Sequence, residues 1–186
     1  MGKIVLASQS PRRKQLLEWA EVDFEVMVAN TDESFPSGLS PADVSIHVAT
    51  EKARVIRQKI NGQLILAADT IVVLNNEIIN KPVDRNDAIR ILSRLSGNHH
   101  QVITGVVLLK NEKLEAFADT TDVEFHPLDQ RQIEFYVDKY QPYDKAGAYA
   151  IQEWIGVVGI KCISGDFYNV MGLPVSRVIR ALEQFE

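Results

Sequence analysis

Ile4-Val5-Leu6-Ala7-Ser8-Gln9-Ser10-Pro11-Arg12-Arg13-Lys14 sets the reading of the chain. Its apolar start predicts a short buried strand, and Ser8-Gln9-Ser10 a tight polar turn. Pro11 suits the first position of a helix, where its missing N–H costs nothing. That places Ser10 at the N-cap, with Leu16, Leu17 and Ala20 on the apolar face of the helix. Arg12, Arg13 and Lys14 then crowd the positive end of the helix dipole, where a cation is disfavoured by roughly 0.3–1 kcal/mol. An ordinary basic helix start is one explanation. An anion is the other: free amides, Ser hydroxyls and guanidinium forks would converge on a phosphate.

Working outward, the chain alternates strand and helix before strands cluster in the middle. A strand is expected over 23–28. Ser40 caps a long helix with Pro41 first, Asp43 in its first turn and Val44, Val48, Ala49, Ala53, Val55, Ile56 and Ile60 on one side. Lys52 falls at the edge of that apolar side. Leu64 to Ala68 reads as a central strand covered on both faces, ending at Asp69-Thr70. Asn75-Asn76 turns a hairpin, because Asn tolerates positive φ. Asp84 caps a helix that Gly97 ends. Strands are expected over 102–109 and 114–125, a helix over 129–140, a last strand over 157–163, a loop over 164–169 and a closing helix over 173–185. The class is α/β: a mixed central sheet flanked by helices, in two lobes with an intervening cleft, forming one domain over 1–186.

Composition narrows the function. A net charge of -5 disfavours sequence-independent nucleic-acid binding, so a local basic cluster points to a small anionic ligand. Cys162 is the single cysteine and no Cys/His set has zinc spacing. No apolar run is long enough to span a membrane, and Met1-Gly2-Lys3 leads directly into a strand, so a reduced cytoplasmic setting is expected. Neither G-x-x-x-x-G-K-[ST] nor G-x-G-x-x-G occurs, which disfavours a kinase or P-loop hydrolase.

Several polar residues break their local pattern: the cations Arg12, Arg13, Lys52, Lys81 and Lys145, the carboxylates Glu33 and Asp69, and the neutral hydrogen-bonders Ser8, Ser10, Thr70 and Gln152. Each has an ordinary alternative. Lys52 could snorkel, Lys145 could pair with Asp144, Glu33 could be solvated, Tyr149 could simply pack. Together they suit a polyphosphate with a divalent metal, which takes one or two carboxylates and completes its shell with phosphate oxygens and water.

The chain resembles the Maf family of nucleotide pyrophosphatases, the septum-formation-inhibitor-like proteins. The resemblance is carried in order by Ala7-Ser8-Gln9-Ser10-Pro11-Arg12-Arg13, Asp32-Glu33, Glu51-Lys52-Ala53, Ala68-Asp69-Thr70 and Asn80-Lys81-Pro82. It continues through Leu95-Ser96-Gly97, Thr104-Gly105-Val106, Asp144 to Gln152 and Asn169 to Pro174. It implies hydrolysis of a nucleoside triphosphate between the α and β phosphates, with Mg²⁺ or Mn²⁺ and a homodimeric enzyme. Asp69 would be the catalytic base and, with Glu33, a metal ligand. Ser8, Ser10, Arg12, Arg13, Lys52, Thr70, Lys81, Lys145 and Gln152 would bind substrate, with Arg12, Thr70 and Gln152 as specificity positions. Asp144 to Gln152 looks like the dTTP/UTP-preferring subgroup. Two other readings stand beside it: a pyrophosphatase for non-canonical purine or 7-methyl-GTP nucleotides, and a non-catalytic nucleotide-binding regulator of septation.

Overall fold

Ile4–Leu6 forms β1 and Pro11–Trp19 forms α1, as the opening stretch requires. The computed structural model describes residues 2–28 and 30–185; Met1, Ala29 and Glu186, and the parts of the 1–186 domain expectation and of the amino-terminal reading that fall on them, lie outside the described residues. The remaining elements are β2 (Phe24–Val26), α2 (Pro41–Arg57), β3 (Ile65–Leu74), β4 (Glu77–Ile79), α3 (Arg85–Leu95) and β5 (His99–Lys110). They continue with β6 (Lys113–Phe125), α4 (Gln130–Tyr140), α5 (Trp154–Gly159), β7 (Ile160–Ser164), α6 (Phe167–Met171) and α7 (Val175–Leu182). The hydrogen-bonded order is β2-β1-β3-β5-β6-β7, with β4 on β3. Parallel and antiparallel ladders both occur, so the α/β class with a mixed sheet is borne out.

The chain forms two compact units. The first comprises Met1–Thr70, Thr104–Asp119 and Gly172–Glu186; the second comprises Ile71–Ile103 and Thr120–Met171. In the first, β1 pairs in parallel with β2 and β3. Its core joins Ala49, Ala53 and Ile56 of α2 to Val5, Ala7, Ile65, Ala67, Val107 and Leu109. Val5, Ile65, Ala67, Val107 and Leu109 lie on strands, with Ala7 just past the end of β1, and in each segment the spacing of two is the period of one sheet face. The fit is tightest at Gly105, where a Cβ would stand 2.3 Å from the Ser45 carbonyl carbon. In the second unit, β4 and β7 pair antiparallel with β3 and β6. Leu92, Leu95, Phe125, Tyr136, Val137 and Ile155 belong to its core.

Side-chain caps close the starts of α2, α3 and α4. Ser40 accepts from Asp43 N, Asp84 from Asp87 N, and Asp129 forms a reciprocal capping box with Gln132. Asn75 and Asn76 both adopt positive φ in the β3–β4 hairpin.

Four expectations change. Strand β3 does not end at Ala68; it runs through Asp69-Thr70 to Leu74, because the following residues are apolar and pair with β4. Ser10 occupies the N-cap of α1 without a side-chain cap bond. Residues 157–159 are not strand but the end of α5, in whose first turns Gly156 lies so close to Ile151 O that a Cβ there would collide with it. The expected loop over 164–169 contains the start of α6, where Asp166 Oδ1 accepts from Tyr168 N at 2.7 Å.

Candidate active site

In the first unit, strand alternation divides the polar residues between two sides of β3. Ile65 and Ala67 pack on α2, so Asp69 shares their face and Thr70 takes the other. On the Asp69 face, Lys52 of α2 donates from Nζ to Asp69 Oδ1 at 2.7 Å and to Glu33 Oε1 at 2.9 Å. The Lys52 and Asp69 side chains are mostly buried, while Glu33 comes from an exposed polar loop. One ammonium thus joins two carboxylates.

On the other face, Arg13 is buried, and its guanidinium binds through all three nitrogens. Nε donates to Gly172 O at 2.8 Å, Nη1 to Ser8 Oγ at 3.1 Å and Nη2 to Thr70 Oγ1 at 2.9 Å. Thr70 Oγ1 in turn lies 2.9 Å from Thr104 Oγ1. Burial lowers the Arg13 pKa to about 10, with the Asp69 charge opposing that shift and the Arg12 charge adding to it. At neutral pH the guanidinium remains cationic. The three cations at the start of α1 therefore differ in use. Arg13 turns inward, Arg12 is partly exposed, and Lys14 pairs with Glu18 on the surface at 3.7 Å. Ser8, not Ser10, supplies the bridging hydroxyl: its Oγ also accepts from Ser10 N at 3.2 Å.

The structure brings Ser8, Arg13 and Thr70 into one hydrogen-bonded group, and Glu33, Lys52 and Asp69 into another. Lys81, Lys145 and Gln152 belong to the second unit, where Lys81 and Gln152 are exposed. Lys145 is buried and donates to Asp144 Oδ1 at 2.8 Å, with Glu153 Oε1 at 3.7 Å. Glu153 accepts from the Tyr136 hydroxyl, which itself accepts from Ala150 N at 3.2 Å. Tyr149 packs edge-on against His100 and Phe125 and meets His100 Nε2 at 2.7 Å through its hydroxyl.

Sequence reasoning missed Thr104, Gly172, Tyr136 and Glu153. Two of these carried a signal. Thr104 is a hydroxyl inside an apolar strand, and Tyr136 is a phenol on the buried face of a helix; each demands a buried partner.

Among the described residues, no group of three or more His, Cys, Asp or Glu side chains is placed to hold a metal ion. Glu33 and Asp69 each turn one carboxylate oxygen to Lys52 Nζ, and carboxylates are the hard-oxygen donors that Mg²⁺ or Mn²⁺ takes where phosphate oxygens and water complete the shell. Among the described residues, no helix is long and apolar enough to cross a membrane.

A family profile described as "Maf-like protein" matches residues 3–185. The chain is 48% identical to a protein of Cytophaga hutchinsonii named dTTP/UTP pyrophosphatase, covering 97% of this chain and 83% of that one. It is 49% identical to a protein of the same name from Bacteroides fragilis and 46% identical to one from Bacteroides thetaiotaomicron, each over 98% of this chain and 95% of the relative. A buried arginine at the strand-to-helix turn, an acid and a lysine joined across α2 and β3, and a match over almost every residue lead to one conclusion: the chain belongs to the Maf-like protein family.

Proposed function

We propose that the protein is a nucleoside triphosphate pyrophosphatase acting on dTTP and UTP. The observation that carries this reading is the Lys52 ammonium joined to both Asp69 and Glu33, in a chain whose relatives at 46–49% identity are named for that activity. Release of pyrophosphate at enzyme-like rates would exclude a module that only binds nucleotide.

In the proposed reaction, water attacks the α-phosphorus and the bond to the bridging oxygen breaks. The products are the nucleoside monophosphate and pyrophosphate. Asp69 takes the proton of the attacking water. Lys52 orients the carboxylate and, with Arg13, opposes the negative charge gathering on the phosphate oxygens. Glu33 and Asp69 would hold a divalent cation, Mg²⁺ or Mn²⁺, which neutralises phosphate charge when bound. Gln152 carries an amide donor and acceptor, the pair needed to read the O4/N3 edge of uracil or thymine. A homodimer and a cytoplasmic location complete the proposal.

The test is product analysis with dTTP, UTP, GTP, ITP and 7-methyl-GTP, with Mg²⁺, Mn²⁺ or a chelator. The reading expects dTMP or UMP plus pyrophosphate, and no turnover with chelator. Release of orthophosphate, or no turnover of any pyrimidine triphosphate, refutes it. Preferred turnover of ITP or 7-methyl-GTP would assign the base pocket to the purine alternative.

A further inference from the structure

We propose that Thr104 is a positioning residue: its buried hydroxyl fixes the rotamer of Thr70 and thereby holds the Arg13 guanidinium in place for turnover. This rests on the pyrophosphatase reading above.

Thr104 is 0% exposed and lies in β5 among Val102, Ile103, Val106 and Val107, all buried. A hydroxyl in such surroundings is costly without a partner and packs no better than a methyl. Its Oγ1 stands 2.9 Å from Thr70 Oγ1. Nη2 donates to Thr70 Oγ1 at 2.9 Å, so one Thr70 lone pair faces the guanidinium and the hydroxyl proton points elsewhere. Thr104 Oγ1 at 2.9 Å is the nearer of the two remaining partners, Gly172 O standing at 3.4 Å, and either hydroxyl can donate across the Thr70–Thr104 contact. In both arrangements Thr70 keeps a lone pair on Arg13.

Thr70 is β-branched, with its oxygen and methyl in different wells of χ1. Another well would turn the methyl toward Arg13 and leave a buried charged donor short of a partner. The hydroxyl at 104 selects the well in which the oxygen faces the guanidinium. Gly172 O and Ser8 Oγ hold the other two nitrogens, so Thr70 is the contact that ties Arg13 to the strand bearing Asp69. A guanidinium fixed on three sides cannot relax away as charge develops on a neighbouring phosphate, and such preorganisation acts on rate more than on ground-state binding.

The experiment compares wild type, Thr104→Val, Thr104→Ser and Thr104→Cys in steady-state dTTP hydrolysis, with thermal unfolding of each. Valine keeps the shape and removes the hydroxyl; serine keeps the hydroxyl. The expected result for Thr104→Val is a kcat lower by about tenfold or more with KM within about twofold, restored to within about threefold by Thr104→Ser. A Thr70→Val/Thr104→Val double variant should lose no more than the worse single one, since both break one link. Wild-type kcat in folded Thr104→Val overturns the proposal, as do equal losses in the valine and serine variants. If the valine variant does not fold, Thr104→Cys, similar in volume with a thiol that donates and accepts only weakly, carries the test: reduced kcat supports the proposal and wild-type kcat overturns it. Absence of dTTP hydrolysis by wild type refutes the functional reading itself, whereas an active wild type with an equally active valine variant refutes only the role of Thr104.

Discussion

Lys52 Nζ and Asp69 Oδ1 stand 2.7 Å apart, joining the middle of α2 to the interior of β3. The contact exists because Asp69 follows Ile65 and Ala67 on the sheet face that α2 covers. Lys52 precedes the buried Ala53 and follows the buried Ala49, so it leaves the helix at the rim of the same face.

Asp69→Asn preserves shape and hydrogen bonding while removing the proton acceptor. Turnover of dTTP should fall by at least about 10²-fold. Lys52 retains Glu33 as a partner, so the unfolding temperature should move little. Rapid-quench measurement of dTMP by the folded variant checks this, and near-normal rates would remove Asp69 from the base role.

Arg13→Lys keeps the charge but cannot reproduce three divergent donors. It should lower kcat more than it raises KM, and it should destabilise the fold by about 1.5–3 kcal/mol through the lost bonds to Gly172, Ser8 and Thr70. Kinetics together with urea unfolding separate the two effects. A change in KM alone would make Arg13 a simple substrate anchor.

Gly105→Ala tests the seat of α2. The added Cβ would lie 2.3 Å from Ser45 C, 2.4 Å from Ile46 N and 2.6 Å from Ser45 O, all backbone atoms. Overpacking of this kind costs about 1–3 kcal/mol or more. The unfolding temperature should drop by several degrees, and kcat should fall too, because moving α2 moves Lys52. An alanine variant with unchanged stability and rate would show that the helix is free to shift.

His100 gives the fold an acid-sensitive component. Burial, aided by the charge of His99, lowers its pKa from 6.5 to about 4, and its Nδ1 is buried without a hydrogen-bond partner. As pH falls below 6.5 the unfolded chain takes up this proton first, so the unfolded state is favoured. The stability present above pH 6.5 is therefore lost progressively down to about pH 4, by at most about 1.4 kcal/mol per pH unit. Urea midpoints of His100→Phe should vary less with pH over that interval than those of wild type, although the variant strands the Tyr149 hydroxyl and starts from a lower midpoint. Parallel pH profiles would exclude the imidazole as the source.

By itself the sequence determined the local rules: strand, polar turn and Pro-led helix at the start, Ser40 and Asp84 as caps, and the Asn75-Asn76 turn. Each depends on neighbours a few residues away, which is why they were legible. The ordered motifs also led to the family and to most of the residues now found bonded together. Only the tertiary structure decided which polar residues meet. Asp69-Thr70 read as a strand end because polarity breaks the apolar run; the pairing of the next residues with β4 keeps the strand going and sends the two side chains to opposite faces. Val157 and Val158 read as strand because both are β-branched, yet they belong to a helical turn that Gly156, packed against Ile151 O, has no side chain to obstruct. Arg13 was expected among phosphates and is held by Ser8, Thr70 and Gly172, the last 159 residues away along the chain. Thr104 reaches Thr70 across a sequence separation of 34, and Tyr136 reaches Glu153 across 17. Such contacts form because buried donors and acceptors must be satisfied wherever packing places them, and that requirement has no fixed spacing for a sequence to display.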